Sequence, residues 1–421
     1  MKKPKKNFWE ERSRMSNIPK LRFPEFSGEW EKSELGKFTQ EITRVNSNSD
    51  APIMMISAAN GFILQSNKYS KEMTGQSLKK YIELHAGEFA YNHGASKLKK
   101  YGACFCLDLD KARIPFVYHC FKLTEGNTKF FSYLLNRTQL DSELARYISS
   151  SARMDGLLNI SYTDYMKINI SVPTLAEQQK IADFLSNVDS IITAETKILN
   201  TLQKKKKALM QKLFTQQLRF KSDDGKDFPA WEEKKLGDVC SVLSGKRVPK
   251  GNKLTSVNTG LKYITVSDMG DKFVSNKDIK YITQEIETKI KKYKVITGDI
   301  IISVAGTLGK VNIITEEFNN ANLTENCDKL TEFKGCITEY LFYFLQSEKF
   351  LDEINRIKTS SAQPKLALDR LRIFVIPIPI IEEQQKIADC LSSLDSLIQT
   401  QQKVVTIWQQ RKKALLQQMF V

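Results

Sequence analysis

The chain has 421 residues, of which 41% are hydrophobic and 27% charged, a composition that is typical of a globular protein and excludes a disordered one. It carries 64 Lys and Arg against 48 Asp and Glu, so the formal net charge is +16; this favours nucleic acid as a partner, with a basic protein that has no polyanionic partner as the alternative. No apolar run reaches the ~20 residues of a membrane span, and the seven irregularly spaced cysteines argue against a disulfide framework and favour a cytoplasmic location.

The first predicted element is a basic extension over residues 1–15, which we expect to be disordered because it is charged and has no apolar segment. The sequence leaves open whether translation begins at Met1 or Met15. A first globular body follows over residues 16–171, where helical spacing of apolar residues predicts a helix at 129–144.

Three cysteines and a histidine of this body have the residue types of a metal site. Cys104 and Cys106 are separated by one residue, and His119 is followed by Cys120. The spacing differs from that of a zinc knuckle, and the apolar residues beside the cysteines are typical of a buried strand. We therefore predict no metal here.

Two segments of the chain are near copies of each other. Residues 177–214 read EQQKIADFLSNVDSIITAETKILNTLQKKKKALMQKLF, and residues 383–420 read EQQKIADCLSSLDSLIQTQQKVVTIWQQRKKALLQQMF; aligned at an offset of 206 they agree at 20 of 38 positions. Neither contains Gly or Pro, and proline precedes each, so each predicts one helix of about 57 Å at 1.5 Å per residue. A repeat of this size indicates a duplicated module.

Both predicted helices carry apolar residues at alternating spacings of three and four, which indicates a coiled-coil seam. The seam residues are Ile181, Leu185, Val188, Ile192, Leu199, Leu202, Leu209 and Leu213, and Ile387, Leu391, Leu394, Ile398, Val405, Trp408, Leu415 and Met419. Glu195, Lys206, Gln401 and Lys412 interrupt it at matching places, where they either fix the register or face solvent. We predict that the helices pair antiparallel inside one chain, and a coiled coil that dimerises two chains is the alternative.

Between the helices lies a second body, residues 216–376. Alternating or β-branched residues predict strands at 263–266, 299–304 and 310–314. Helical spacing predicts a helix at 339–354.

The two bodies also repeat each other, although more weakly than the helices. Trp30-Glu31 leads to Leu35-Gly36 in the first, and Trp231-Glu232 leads to Leu236-Gly237 in the second. We therefore expect an α+β fold with a pseudo-twofold internal repeat. Two mixed α/β domains are joined by an antiparallel intramolecular coiled coil, with the central helix segment at 172–215 and the C-terminal one at 377–421.

This layout resembles the specificity subunit of type I restriction–modification systems from Ile18 to Phe420. The two strand-to-helix junctions, 172–182 and 378–388, carry most of the resemblance, because each combines proline with Glu-Gln-Gln-Lys-Ile-Ala. In the second body, Gly-Asp-Ile at 298–300, Gly-Thr-x-Gly-Lys at 306–310 and Ser-x-Gln-x-Lys at 361–365 resemble the target-recognition domains of the family. The first body departs from that pattern with Tyr-Asn-His-Gly-Ala-Ser-Lys at 91–97, which implies that the two domains read different DNA.

The resemblance implies a DNA-binding subunit without a catalytic site. Each target-recognition domain would read one half of a bipartite double-stranded DNA site, and the helices would set the spacer and dock two modification (methyltransferase) subunits. Restriction/translocase subunits would complete a complex that methylates adenines or cleaves unmodified foreign DNA. This chain would hold no cofactor, whereas S-adenosylmethionine, ATP and Mg would lie on the partner subunits.

The sequence lacks the base-holding motif of an adenine methyltransferase and the spacing of a P-loop. No Pro-Pro pair exists to form the base-holding loop of an adenine methyltransferase. The stretch Gly306-Thr307-Leu308-Gly309-Lys310 lacks the spacing of a P-loop. A self-sufficient nuclease–methyltransferase, a coiled-coil scaffold and a stand-alone DNA-binding regulator remain the alternatives.

The residues that we expect to touch DNA lie in loops and carry side chains that can reach base edges or phosphates. In the first domain they are Asn92, His93, Ser96, Lys97, Lys99, Lys100 and Arg153. In the second they are Lys246, Arg247, Lys250, Thr307, Lys310, Gln363 and Lys365. A solvated surface is the alternative for each of them, and we predict no catalytic or metal-binding residue.

Overall fold

The computed structural model describes residues 17–68, 76–94, 96–137, 140–148, 158–359 and 365–421. The predicted disordered extension, Arg153 and Gln363 lie outside the described residues. The chain divides into two compact units: the first consists of Met1–Thr196 with Val404–Val421, and the second of Lys197–Lys403. In the part of the chain that is described, no helix has the length and apolar character needed to cross a membrane.

The described part of the first unit contains ten short strands. They are β1 Glu31–Glu34, β2 Thr39–Glu41, β3 Met54–Ser57, β4 Gly61–Leu64, β5 Ile82–His85, β6 Phe89–Asn92, β7 Ala103–Cys106, β8 Lys111–Ile114, β9 His119–Leu123 and β10 Asn169–Val172. Its helices are α1 Thr128–Leu135, α2 Asp141–Tyr147, α3 Tyr162–Met166 and the beginning of α4 Leu175–Phe214. The main sheet has the order β2-β9-β6-β7, and β1-β10, β3-β4 and β5-β8 form two-stranded pairs.

The second unit contains nine strands in its described part. They are β11 Glu232–Lys235, β12 Ser241–Ser244, β13 Lys262–Ile264, β14 Lys280–Tyr281, β15 Ile300–Ser303, β16 Val311–Ile313, β17 Asn322–Leu323, β18 Cys327–Thr331 and β19 Val375–Ile378. Its helices are α5 Leu236–Val239, α6 Gln284–Ile290, α7 Thr338–Phe344, α8 Glu348–Thr359, α9 Leu368–Arg372 and the beginning of α10 Ile381–Gln418. The sheets have the orders β12-β18-β15-β16, β14-β13-β17 and β11-β19.

The main sheets of the two units have the same topology, because β2, β9, β6 and β7 correspond to β12, β18, β15 and β16 in order and in antiparallel direction. Phe89 lies opposite Phe121 in the first sheet, and Ile300 lies opposite Leu330 in the second. All four side chains are fully buried, so each sheet presents one apolar face to its own core. The internal repeat therefore extends beyond the helices to the bodies.

The long helices pack together within the chain. In the first unit the beginning of α4, with Ile181 and Leu185, shares a core with Met419 at the end of α10. In the second unit the end of α4, with Leu213, shares a core with Ile387 near the start of α10. This confirms the predicted antiparallel pair, and none of the predicted seam residues is exposed.

Each of the two helices predicted inside the bodies was wrong in extent, because each consists of two shorter helices. Residues 339–354 form α7 and α8, since the chain closes a tight turn after α7, where the Gln346 amide donates to the Tyr343 carbonyl at 3.1 Å. Residues 129–144 form α1 and α2; the Arg137 guanidinium folds back onto the Leu134 carbonyl at 3.1 Å and satisfies the end of α1.

Candidate nucleic-acid interface and helix junctions

Loops of the second unit meet at one end of its main sheet. The Gly245 amide donates to the Cys327 carbonyl at 3.0 Å, and the Val304 amide donates to the Asn326 carbonyl at 2.8 Å. The Leu366 amide donates to the Val304 carbonyl at 3.0 Å and brings in a fourth segment. We call residues 245–250, 304–310, 324–326 and 365–366 the second loop end.

The described candidates for DNA contact in this unit all lie at the second loop end; they are Lys246, Arg247, Lys250, Thr307, Lys310 and Lys365. Five of them are exposed, and the sixth, Lys310, is half-buried with its amine bonded to the Met269 carbonyl. Four cationic side chains therefore remain at the surface of one sheet end, which suits a polyanionic partner. Their contact with DNA stays a prediction.

Arg247 has a defined orientation although its side chain is 76% exposed. Its Nε donates to Glu325 Oε1 at 2.5 Å, and this hydrogen bond raises the pKa of the guanidinium. The two loops can approach because residue 245 is glycine: a Cβ there would lie 2.0 Å from the Thr324 carbonyl oxygen. The bond to Glu325 uses Nε, so the terminal nitrogens of Arg247 take no part in it, and such a fork can reach a guanine edge.

A buried carboxylate lies beneath the same loops. Asp328, at the start of β18, is 2% exposed, and its Oδ2 has no hydrogen-bond partner. Burial raises its pKa to about 6, against the opposing effects of a Ser244 hydrogen bond and the charges of Lys365 and Arg372. No local pattern indicates this group, because its burial depends on loops that are distant along the chain.

The corresponding end of the first main sheet carries the described residues of the β6–β7 loop, 93–94 and 96–102, together with 115–118 and 158–160; we call these the first loop end. Asn92 and Ser96 shape the loop, since Asn92 Oδ1 accepts from the Gly94 amide at 2.9 Å and Ser96 Oγ accepts from the Lys99 amide at 3.0 Å.

The lysines of the first loop end differ in their freedom. Lys97 and Lys100 are exposed. Lys99 is half-buried, its amine donates to the Asn136 carbonyl at 2.5 Å, and burial lowers its pKa. DNA contact by these residues stays a prediction, with Lys97 and Lys100 the better placed.

His93 corrects an expectation. Its ring is 4% exposed, Nδ1 lies 2.7 Å from the Leu158 carbonyl oxygen and Nε2 lies 2.9 Å from the Val117 carbonyl oxygen. Both ring nitrogens therefore face the backbone, and neither is available to a base. The ring stacks on His119 at 5.0 Å between centroids, and burial lowers the pKa of His119 to about 4. His93 thus ties three segments of the first loop end together from inside.

The cysteines near His119 lie in the main sheet. Cys104 and Cys120 are buried, and burial raises the pKa of the Cys104 thiol to about 12. Among the residues that the structure describes, no group of three His, Cys, Asp or Glu side chains could hold a metal ion.

The first strand-to-helix junction is built around the glutamate of the Glu-Gln-Gln motif. Glu177 is buried. Its Oε1 accepts from Arg22 Nε at 2.8 Å and from Trp30 Nε1 at 3.3 Å, and its Oε2 accepts from Arg22 Nη2 at 2.7 Å. The next residue, Gln178, donates to the Pro173 carbonyl at 2.9 Å and accepts from the Asn127 amide at 2.9 Å. The motif therefore fastens α4 to its own body.

The second junction repeats this arrangement. Glu383 is buried and accepts from Arg219 at 3.0 and 2.7 Å and from Trp231 Nε1 at 2.8 Å. Gln384 donates to the Pro379 carbonyl at 2.8 Å and accepts from the Ile337 amide at 2.8 Å. The motif and the two tryptophans are each visible in the sequence. Their occurrence together in both copies is the signal that links the tryptophan of each body to the glutamate of the following helix.

Comparison with known proteins agrees with this duplicated architecture. The family model described as "Type I restriction modification DNA specificity domain" matches residues 29–204 and again residues 230–406. The chain belongs to this family. Each copy of the domain covers one body and most of the helix that follows it.

Individual specificity-domain relatives are distant in sequence. The MjaVIII specificity subunit of Methanocaldococcus jannaschii is 26% identical over 280 residues, which are 64% of this chain and 65% of that protein. The EcoBI specificity subunit of Escherichia coli is 24% identical over 290 residues, 62% of this chain and 57% of that protein. This chain thus spans just under two thirds of the first relative and less of the second.

Solved structures agree in fold. A chain from a structural study of the assembly and conformational transition of the type I R-M system matches with a TM-score of 0.56 and 18% identity, over 93% of this chain and 97% of that chain. The S subunit of the type I restriction–modification system of M. genitalium matches with a TM-score of 0.54 and 15% identity, over 96% and 99%.

Proposed function

We propose that this specificity-domain protein is the non-catalytic, sequence-specific DNA-binding subunit of a type I restriction–modification complex. Each target-recognition domain reads one half of a bipartite double-stranded site, and the paired helices set the spacer between the halves. The observation that carries the proposal is that one sheet and one junction occur twice in the chain while the loops at the two sheet ends differ.

The different loop ends support two different half-sites. The second loop end presents the exposed cations Lys246, Arg247, Lys250 and Lys365, whereas the first presents Lys97 and Lys100 on a loop shaped by Asn92 and Ser96. Lysines that meet phosphates position a protein on the duplex, and side chains that meet base edges specify sequence. A domain pair with unlike loops on like frameworks is suited to an asymmetric site.

The remaining parts of the proposal concern partners. Two modification subunits dock on the helices and junctions and methylate adenines, and restriction/translocase subunits cleave unmodified DNA. S-adenosylmethionine, ATP and Mg lie on those subunits, and the complex acts in the cytoplasm. The names of the relatives, which are specificity subunits of type I restriction enzymes, support this assignment.

A domain exchange tests the proposal. Residues 30–165 are replaced by the corresponding segment of a relative, the chain is co-expressed with its modification subunits, and methylated adenines are mapped across a genome. We expect one half-site to change while the other half-site and the spacer stay the same. Methylation of an unchanged site, or a change in both halves, would contradict the proposal.

The reciprocal exchange is the matched control. Replacement of residues 232–370 should change only the other half-site. The purified chain alone, incubated with S-adenosylmethionine and DNA, should transfer no methyl group; transfer would identify an enzyme instead.

A further inference from the structure

One ion pair occurs twice in the helix pair, once in each unit. In the second unit the Lys206 amine lies 2.5 Å from Asp395 Oδ1. In the first unit the Lys412 amine lies 2.5 Å from Asp189 Oδ1. Adding the repeat offset of 206 to residues 189 and 206 gives 395 and 412, so each pair is the internal copy of the other.

A tyrosine from one of the two target-recognition domains contacts each ion pair. Tyr343, on α7, donates to Asp395 Oδ2 at 2.7 Å, and the Lys206 amine lies 5.2 Å from the centre of its ring. Tyr133, on α1, donates to Asp189 Oδ2 at 2.7 Å, and the Lys412 amine lies 5.3 Å from its ring centre. Both phenols are protonated at neutral pH and can donate, and burial raises their pKa further.

We call Lys412, Asp189 and Tyr133 the first node, and Lys206, Asp395 and Tyr343 the second node. Each node joins three elements: α4, α10 and a helix of one body. A serine completes each one, because the tyrosine hydroxyl also lies 3.5 Å from Ser186 in the first node and 3.1 Å from Ser392 in the second.

The nodes occupy the positions at which lysine interrupts the apolar seam. An apolar seam alone tolerates a slip by a heptad, because leucine and isoleucine recur at the same spacing. A slip would separate each lysine from its aspartate and leave charges in the partly buried interface, and buried charges without partners are strongly unfavourable. Since both nodes lie on the same two helices, one slip breaks both.

We propose that the two nodes fix the register of α4 against α10 and the position of each target-recognition domain on the helices. In this way they restrict the complex to one spacer length. This rests on the proposed function, in which the helices set the spacer. Lys206 and Lys412 are positioning residues in this proposal, since each acts through its aspartate and tyrosine on the helices and bodies.

The second node has an additional brace. The Lys272 amine lies 3.2 Å from Ser392 Oγ and 3.4 Å from the Tyr343 hydroxyl, within the same half-buried interface. A second cation near Asp395 partly replaces Lys206 when that residue is lost. The first node should therefore be the more sensitive of the two to loss of its lysine.

The test maps the spacer lengths of methylated sites for the whole complex. In the double variant Lys206→Met/Lys412→Met we expect both half-sites to be unchanged and more than about one tenth of methylated sites to have a spacer other than that of the wild type. Lys412→Met alone should shift more sites than Lys206→Met alone. Lys205→Met and Lys413→Met, at exposed neighbouring positions, serve as matched controls that keep the wild-type spacer.

A charge exchange keeps the test decisive if the double variant folds poorly. Lys206→Asp alone should broaden the spacer distribution, and Lys206→Asp/Asp395→Lys should restore it. Wild-type spacing in both Lys206→Asp and the folded double variant would overturn the role of the nodes. Failure of the wild-type complex to methylate any bipartite site would overturn the proposed function itself, so the two outcomes are distinguishable.

Discussion

The two units differ least where the helices begin and most at the loop ends. Glu177 and Glu383 have the same partners, an arginine fork and an indole nitrogen. The loop ends have different interiors, because the first is tied together by the buried His93 while Asp328 lies beneath the second. Buried polar groups therefore form the same junction in both units, whereas at the loop ends they support two different surfaces.

This comparison separates two uses of polar burial. At the junctions every buried carboxylate oxygen of Glu177 and Glu383 has a partner, which is the condition under which burial of charge is tolerated. Asp328 departs from that condition, since one of its oxygens has no hydrogen-bond partner. The junctions should thus stabilise the protein, whereas the buried Asp328 beneath the second loop end should destabilise it.

The largest effect is expected at the junctions. Replacement of Glu177 or Glu383 by Gln substitutes a neutral amide for a buried carboxylate and leaves Arg22 or Arg219 without its compensating charge, which should lower the free energy of unfolding by about 3 kcal/mol. Glu177→Gln should cost more, because the Arg22 side chain is 13% exposed and that of Arg219 is 26% exposed. Urea unfolding of the two variants measures the difference.

The third residue of the motif is the control for these variants. Gln385 is exposed, and its side chain donates only along its own helix, to Asp389 at 2.8 Å. Gln385→Ala should therefore change the unfolding free energy by less than about 0.5 kcal/mol. A loss equal to that of Glu383→Gln would show that the motif acts through helix formation and not through the clamp.

Substitution of Asp328 should change the unfolding free energy in the opposite direction. Its pKa in the folded protein is about 6, above the ordinary value of 3.8, so the stability present below pH 4 is lost as the pH rises through 6. Asp328→Asn should therefore raise the unfolding free energy by about 2 kcal/mol at pH 8 and by little at pH 4. Thermal unfolding at both pH values tests this, and an equal gain at both would exclude ionisation as the cause.

The sequence predicted the features that depend on local pattern. The seam of the helices followed from the recurrence of residues such as Leu185 and Leu391 at helical spacing, and the strand at 300–303 followed from its run of isoleucines. What lay beyond prediction depends on contacts between distant segments. His93 was placed at the DNA surface because nothing nearby in sequence shows that residues 117 and 158 enclose it.

At the loop ends, Arg247 is the sharpest point of difference between the units. If its fork reads a guanine, Arg247→Ala should relax discrimination at one position of one half-site by about 1–3 kcal/mol and leave the other half-site unchanged. Lys97→Ala, in the other unit, should weaken binding to all sequences alike, as expected for a phosphate contact. Competition binding with single-base variants of the mapped site distinguishes the two patterns.

The orientation of Arg247 can be tested separately. Glu325→Gln should keep the preference for guanine but reduce its strength, because the hydrogen bond at Nε weakens. If Arg247→Ala reduces affinity for every sequence equally, the side chain contacts phosphate and the base is read elsewhere.

The smallest expected effect is the acid response of the first loop end. The pKa of His119 in the folded protein is about 4, below its ordinary value of 6.5, because burial disfavours the charged ring. The stability present above pH 6.5 is therefore lost as the pH falls toward 4, and we expect a loss of about 1 kcal/mol at pH 5, because the ring is only partly buried. His119→Gln should remove this pH dependence between pH 7 and 5, and it should leave the opposite response of Asp328 unchanged. If both responses vanished together, the two units would not titrate independently, and the separation between a first and a second loop end would have to be abandoned.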